Sequence, residues 1–307
     1  MLTPIICIGG PTGAGKSAAA CFLAEQLGGE VINADSRQVY ADFPIITAQP
    51  KAEELAVCRH RLYGFLPSES KISAGEYLRL AGREIDLLRA EGKIPILVGG
   101  TGLYFRALLG GIAQIPPVDE AIREYWQRRY VAEGGQALHT VLRDLDPEYA
   151  AKIHPNDRQR VTRALEVCES TGKNFTWWHR EKTDATGYTA LYLGVCLSLS
   201  ELEPLLAGRI DQMLQAGALD EAAKARKNCD DAAAPGWSGI GCAEVYRYLR
   251  GELSLPDCRE LWLHNTRAYA KRQLTWFGAE KNFLPHRPGQ DKAMLALARD
   301  WIDSITK

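Results

Sequence analysis

The sequence is short of several things, and each absence excludes a class of protein. Net charge is nearly missing: 37 Lys plus Arg stand against 38 Asp plus Glu, a formal −1 at pH 7. No global positive field gathers nucleic acid, so any such contact must come from a local basic patch. No apolar run reaches the roughly 18 residues of a membrane helix, which predicts no membrane partner. The opening "MLTPIICIGG" has no basic stretch ahead of its apolar residues and reads as a first strand rather than a secretory signal. Among the eight cysteines (Cys7, Cys21, Cys58, Cys168, Cys196, Cys229, Cys242 and Cys258) no two form C-x-x-C. That spacing argues against zinc and for reduced, buried thiols in a cytoplasmic protein. No internal repeat and no low-complexity segment is present.

What remains is ordinary in bulk and specific in detail. The 307 residues, 46% hydrophobic and 24% charged, suffice for one large soluble domain or two smaller ones. "PIICIGG", "EVINADS" and "IPILVGG" are short apolar runs with the look of buried parallel strands. Between them lie helical stretches, "KSAAACFLAEQLGG" closed by Gly28 and Gly29, and "SAGEYLRLAGREIDLLRAEGK" with Ser73 as N-cap and Gly92 as stop. "TGLYFRALLGG" begins another helix. Alternation of this kind predicts an α/β fold, a parallel sheet flanked by helices. Gly110, Gly111, Pro116 and Pro117 interrupt it. From about Asp119 to Lys182 only helical patterns follow, until "TALYLGVCLSLS" returns as a strand. The predicted organisation is a discontinuous core, residues 1–114 and 188–307, with an all-helical insertion at 115–187.

The sharpest motif is "GGPTGAGKS". Gly10, Gly15, Lys16 and Ser17 fit the phosphate-loop pattern G-x-x-x-x-G-K-[ST], and a strand precedes it and a helix follows, as that motif needs. Its backbone N–H groups, from Gly10 through Pro11, Thr12, Gly13, Ala14 and Gly15, would surround phosphate oxygens. Lys16 adds a cation, and the Ser17 hydroxyl can ligate Mg²⁺. The predicted core is thus P-loop NTPase-like. Ligands of open α/β sheets bind outside the carboxyl ends of the strands, which picks out two further stretches. Asp35 in "NADSRQVY" can ligate metal, act as a base or cap a helix. Thr101 in "LVGGTGLYF" can serve the site or simply cap the helix it precedes.

These stretches, with "IHPNDRQRVTRALEV", "RIDQML" and "TRAYAKRQLTWF", resemble the tRNA dimethylallyltransferases (tRNA isopentenyltransferases), in that family's order and over nearly the whole chain. The resemblance implies transfer of a five-carbon group from dimethylallyl diphosphate to N6 of adenine 37, beside the anticodon and preceded by an adenine. The phosphate loop, with Arg209 and Mg²⁺ on Ser17, would hold the donor's diphosphate rather than a nucleoside triphosphate. Asp35 resembles the base that takes the amine proton. Thr101 resembles the residue whose hydroxyl holds amine and leaving group, and Lys16 would stabilise the departing charge. For tRNA the resemblance implies Asp35, Ser36, Arg37, Gln38 and Thr101 near the adenine, then Arg123, Gln159, Arg160, Val161, Thr162 and Arg163 in the insertion. Arg158 joins the same basic cluster, and Arg267, Lys271, Arg272 and Gln273 near Trp276 can touch phosphates or pack.

The chain departs from the family's pattern where "SGIGCAEVYRYL" puts Cys242 and Ala243 in place of an aromatic and an arginine, and at Leu205, where an arginine is usual. Weaker RNA contacts are expected there. Without a zinc-finger extension, the chain is expected to be bacterial and to act as a monomer. Three rivals are an adenylate isopentenyltransferase using free AMP-type acceptors, a nucleotide-kinase-like phosphotransferase, and a tRNA-binding paralogue without activity. The arm carrying "DRQRVTR" favours a polynucleotide acceptor over a free nucleotide. No arginine-rich lid supports a kinase, and intact Lys16, Ser17, Asp35 and Thr101 oppose an inactive paralogue.

Overall fold

A computed structural model describes residues 3–181 and 187–306. The chain opens with β1 (Thr3–Gly9), α1 (Lys16–Leu27), β2 (Glu30–Asn33), α2 (Ala52–Val57), β3 (His60–Arg61), α3 (Ala74–Ala90), β4 (Pro95–Val98) and α4 (Gly102–Gly110). Helices α5 (Glu120–Glu133), α6 (Gly135–Leu145), α7 (Pro147–Ala150), α8 (Arg158–Thr171) and α9 (Phe175–Arg180) follow. Then come β5 (Tyr188–Val195), α10 (Leu199–Gln215), α11 (Ala218–Asn228), α12 (Cys242–Leu249), α13 (Leu255–Gly278), β6 (Leu284–His286) and α14 (Asp291–Thr306). Two compact units result, Met1–Leu109 with Gly187–Lys307, and Gly110–Thr186.

The first unit is a six-stranded sheet in the order β3-β2-β4-β1-β5-β6, parallel throughout. Successive side chains on a strand face opposite ways, so a strand covered on both faces must be apolar at every position. In β1, Ile6 and Ile8 pack toward α1, α10 and α14, through Leu23, Leu206 and Met294. Ile5 and Cys7 pack toward α3 and α4, through Tyr77, Ile85 and Phe105. A further core joins Phe43, Trp237, Val245 and Trp262 beneath α10 to α13. Register aligns the strand ends: Ile8 lies opposite Val98, Asn33 opposite Val98, and Gly9 opposite Gly194. The loops after β1, β2, β4 and β5 therefore leave the sheet along one edge.

Helix limits follow local chemistry. Ser73 caps α3 by accepting from the Glu76 N–H at 3.1 Å, and Gly28 closes α1 at φ 64°. The two outermost strands, β3 and β6, went unread in the sequence. They are two and three residues long and carry no apolar run.

The second unit is helical among its described residues. Trp126, Leu138, Leu142, Val161 and Leu165 form its own core. Buried Asp146 ties its turns together, accepting from Tyr149 N at 3.1 Å, Thr176 N at 2.8 Å and Thr176 Oγ1 at 2.6 Å.

Candidate active site

The loop after β1 needs its glycines. Gly10 sits at φ 139°, and a Cβ there would lie 2.3 Å from the Val195 carbonyl oxygen, so only glycine lets the loop pass β5. Gly15, at φ 90°, begins α1, whose first turn holds no acidic residue. Its free N–H groups and dipole favour an anion. Lys16 is half-buried, and its Nζ donates to the Pro11 carbonyl at 2.7 Å. Loss of hydration lowers its ammonium to about 8, against the pull of the Asp35 carboxylate. Ser17 is exposed one residue on.

Beside this loop, β2 ends in a turn moulded by Asn33, which is fully buried. Its Oδ1 accepts from Asp35 N at 2.8 Å, while its Nδ2 donates to the carbonyls of Asp35 at 3.0 Å and Leu62 at 2.9 Å. Asp35 Oδ1 in turn accepts from Arg37 N at 2.9 Å. Its Oδ2 accepts nothing among the described residues, and Asp35 lines a cavity of about 320 Å³. Thr101 does not spend its hydroxyl on capping α4. Its Oγ1 accepts from Ser36 N at 2.9 Å and donates to Ser36 Oγ at 3.2 Å, which clasps the β2 and β4 tips together.

Helix α13 closes the site from across the sheet. Gln273, 4% exposed, accepts from Thr12 N at 2.8 Å and donates to the Gly100 carbonyl at 2.9 Å. One amide so fixes the phosphate loop against the β4 tip. Gly100 must lack a Cβ, which would stand 2.1 Å from Gln273 Nε2. Trp276 lies against Gly102 and under the Arg106 guanidinium, 4.0 Å from its ring centre, so it packs on α4.

The same cavity is lined by Thr12, Ser36, Arg37, Arg209, Tyr269 and Arg272, with Ile46, Leu206, Ile210, Met213, Ile240 and Trp262 as its apolar wall. Burial lowers the Arg209 guanidinium, opposed by Asp35 and then Glu54. Arg209 has no ion pair or hydrogen bond among the described residues, although it is half-buried. A guanidinium kept half-dry beside helix N–H groups suits an anionic ligand.

Not every expected contact is free to meet a ligand. Arg37 donates to the carbonyls of Pro235 at 2.7 Å and Gly236 at 3.3 Å, and to Ser238 Oγ at 3.3 Å. Gln38 spends its Nε2 on the Thr47 and Ala48 carbonyls, at 3.0 and 2.6 Å. In the helical unit, Val161 and Thr162 require correction. They are 0% and 1% exposed, Val161 in the unit's core and Thr162 bonded to the Arg158 carbonyl and to Gln127. Their side chains hold α8 in place and cannot reach RNA. Arg158, Gln159 and Arg160 are exposed on α8. Arg158 donates to Gln127, and Arg160 and Arg163 pair with Asp157 and Glu166 at 3.3 and 3.6 Å. Arg123 is tied to Glu120 at 3.1 Å. On α13, Arg267 pairs with Glu203 at 3.2 Å. Cys242 needs a different account from the one its departure suggested. It is fully buried among Val39, Trp237 and Val245, so the thiol fills core rather than replacing a surface contact.

Sequence reasoning passed over Asn33 as a positioning residue and Trp262, Thr266 and Tyr269 as cavity walls. A signal existed for the last three. With Gln273 they recur at intervals of four, three and four, one stripe of α13. The wall from Ser238 to Ile240 gave no such signal, because it is loop.

Comparison with known proteins bears on this geometry. The family model described as IPP transferase matches residues 38–280. A tRNA dimethylallyltransferase of Nitratidesulfovibrio vulgaris is 61% identical over 287 residues, covering 94% of this chain and 93% of the relative. One from Lawsonia intracellularis is 46% identical, covering 97% and 98%. Among solved structures, the full-length tRNA isopentenylpyrophosphate transferase of Bacillus halodurans superposes with a TM-score of 0.69 at 33% identity, covering 98% of this chain and 96% of that one. A eukaryotic dimethylallyltransferase captured acting on tRNA gives a TM-score of 0.82 at 28% identity, covering 98% and 80%.

Proposed function

The chain belongs to the tRNA dimethylallyltransferase family, and from that premise we propose that it transfers a dimethylallyl group from its diphosphate to N6 of an adenine beside a tRNA anticodon. The observation that carries the proposal is a convergence within one cavity. Thr12 of the phosphate loop, Asp35, and Arg209, which has no ion pair or hydrogen bond among the described residues, all line it. A diphosphate fits the loop amides, Lys16 and Arg209. The apolar wall of Leu206, Ile210 and Met213 offers its hydrocarbon a dry surface.

An adenine N6 amine is a weak nucleophile, because its lone pair is drawn into the ring. As nitrogen bonds to the allylic carbon, the C–O bond to diphosphate breaks and the electron pair leaves with oxygen. The N6 proton passes to Asp35 Oδ2, the oxygen not engaged by Arg37 N. Thr101 Oγ1 gives its hydrogen to Ser36 Oγ and one lone pair to Ser36 N, so its second lone pair would accept from the amine and orient it. Positive charge at Lys16 and Arg209 would stabilise the leaving anion, Arg209 from the cavity wall and Lys16 from the loop, where its Nζ donates to the Pro11 carbonyl in the structure. Ser17 is a hard oxygen donor exposed at the first turn of α1, and its hydroxyl would hold Mg²⁺ there. When bound, the ion would neutralise leaving-group charge.

The acceptor must be unstacked to enter such a cavity, as single-stranded loop bases allow. Exposed Arg158 and Arg160 on α8, with the neutral amide of Gln159 between them, offer the local basic surface that a net charge of −1 otherwise lacks.

Asp35→Asn tests the assignment. It keeps an acceptor for Arg37 N and removes the base. Transfer should fall by roughly 10²- to 10⁴-fold while donor binding, measured by calorimetry, stays near that of the unaltered protein. Parallel loss of donor binding would instead make Asp35 part of the diphosphate site.

A further inference from the structure

Away from this cavity, the fold brings together three residues that the reaction does not use. Cys21 lies on α1, Cys58 lies just before β3 and His60 is the first residue of β3. Cys58 is extended, at φ −152° and ψ 161°, so residues 58 and 60 point to the same side. One ligand atom from each of the three side chains lies within 4.8 Å of the others. Absence of C-x-x-C told against zinc in the sequence, but here the ligands come from two elements that only folding joins.

His60 is already in a ligand's tautomer. Its Nδ1 lies 2.9 Å from the Cys58 carbonyl oxygen, an atom that can only accept. Nδ1 therefore carries the hydrogen, and the lone pair of Nε2 faces Cys21 Sγ at 3.6 Å. A carbonyl holding the far nitrogen is the outer-shell arrangement that orients metal-bound histidines. Tetrahedral zinc, with bonds of about 2.3 Å to sulfur and 2.0–2.1 Å to nitrogen, sets those two atoms about 3.6 Å apart. Cys21 is buried, and Cys58 and His60 are half-buried, so a water can reach a fourth position.

We propose that Cys21, Cys58 and His60 form a zinc site that ties α1, whose first turn continues the phosphate loop, to the edge strand β3 beside β2. Zn²⁺ enters and two thiol protons leave, so the protein gains one zinc less two protons, with no redox change. The role is structural: the ion would fix the helix below the diphosphate site against the strand pair that leads to Asp35.

The test uses the full chain, incubated with Zn²⁺, freed of excess metal and weighed by native mass spectrometry. One zinc less two protons per chain is expected, with a rise in Tm that a chelator reverses. Co²⁺ in place of zinc should give the thiolate-to-metal absorption band. Cys21→Ser and Cys58→Ser should each abolish stoichiometric zinc and that band, and circular dichroism would establish that the variants are folded. Equal zinc uptake by the doubly substituted protein would overturn the proposal. So would a metal-free mass two hydrogens light, with Cys21 and Cys58 in one disulfide-linked peptide, because that pair would then be a redox couple instead.

Discussion

Gln273 shows how one side chain can set the geometry of a site it does not react in. Both of its hydrogen bonds are to backbone groups, at Thr12 and Gly100, across 261 and 173 residues of sequence. Gln273→Leu keeps much of the volume and removes both bonds. The half-buried Thr12 N–H would then go unmet and the buried Gly100 carbonyl would keep only the long bond from the Tyr269 hydroxyl at 3.5 Å, a loss of roughly 1–3 kcal/mol. Tm should fall, and kcat should fall more than donor affinity does, because the loop amides remain but lose register with Asp35. Unchanged kcat at lowered Tm would reduce Gln273 to a structural tie. From sequence alone this residue was one of several in "AKRQLTWF" that could touch phosphate or pack. Only the fold shows its amide bonded at both oxygen and nitrogen inside the protein.

At the scale of elements, two predictions separate packing from recognition. On α8, Val161→Ala should cost roughly 2 kcal/mol of stability, through lost burial and a residual cavity, and leave tRNA affinity unaltered. Arg160→Ala should do the reverse. Filter binding against salt should show weaker tRNA affinity and a log–log slope shallower by about one unit. At the sheet edge, buried Glu30 accepts from Arg61 Nε at 2.7 Å and from Lys93 Nζ. Burial raises its carboxyl, but those two bonds outweigh it and leave it lowered. A folded-state value below the unfolded one, about 4.3, gives stability that is present above that pH and lost as pH falls through the folded value. Glu30→Gln should lower Tm at neutral pH and flatten the acid decline, and an unaltered acid limb would discount the pair.

These elements also mark how far the sequence could be read. Strands β1, β2, β4 and β5 were legible because both faces are covered, which forces near-continuous apolar runs. Strands β3 and β6 were not, since edges of two and three residues carry no period. Asp35 and Thr101 could be singled out by the rule that ligands sit at strand ends. Which hydroxyl or amide faces inward could not, as Thr101, Arg37 and Gln38 show. Cys21 and His60 lie 39 residues apart, a proximity no spacing rule covers.

For the whole molecule the central claim concerns what the phosphate loop holds and where the group it releases goes. A net charge of −1 gives no general attraction to RNA, so the proposal assigns selection of the acceptor to the site and to α8 rather than to bulk field. The most direct measurement offers the protein all candidates at once: Mg²⁺, dimethylallyl diphosphate, ATP, unmodified tRNA and AMP, followed by nuclease digestion and mass spectrometry of the nucleosides. The account predicts adenosine from tRNA carrying the added five-carbon group, with ATP intact and AMP unmodified. Prenylated AMP with unmodified tRNA would contradict it in favour of a free-nucleotide enzyme. Consumption of ATP alone would contradict it by returning the loop to a nucleoside triphosphate.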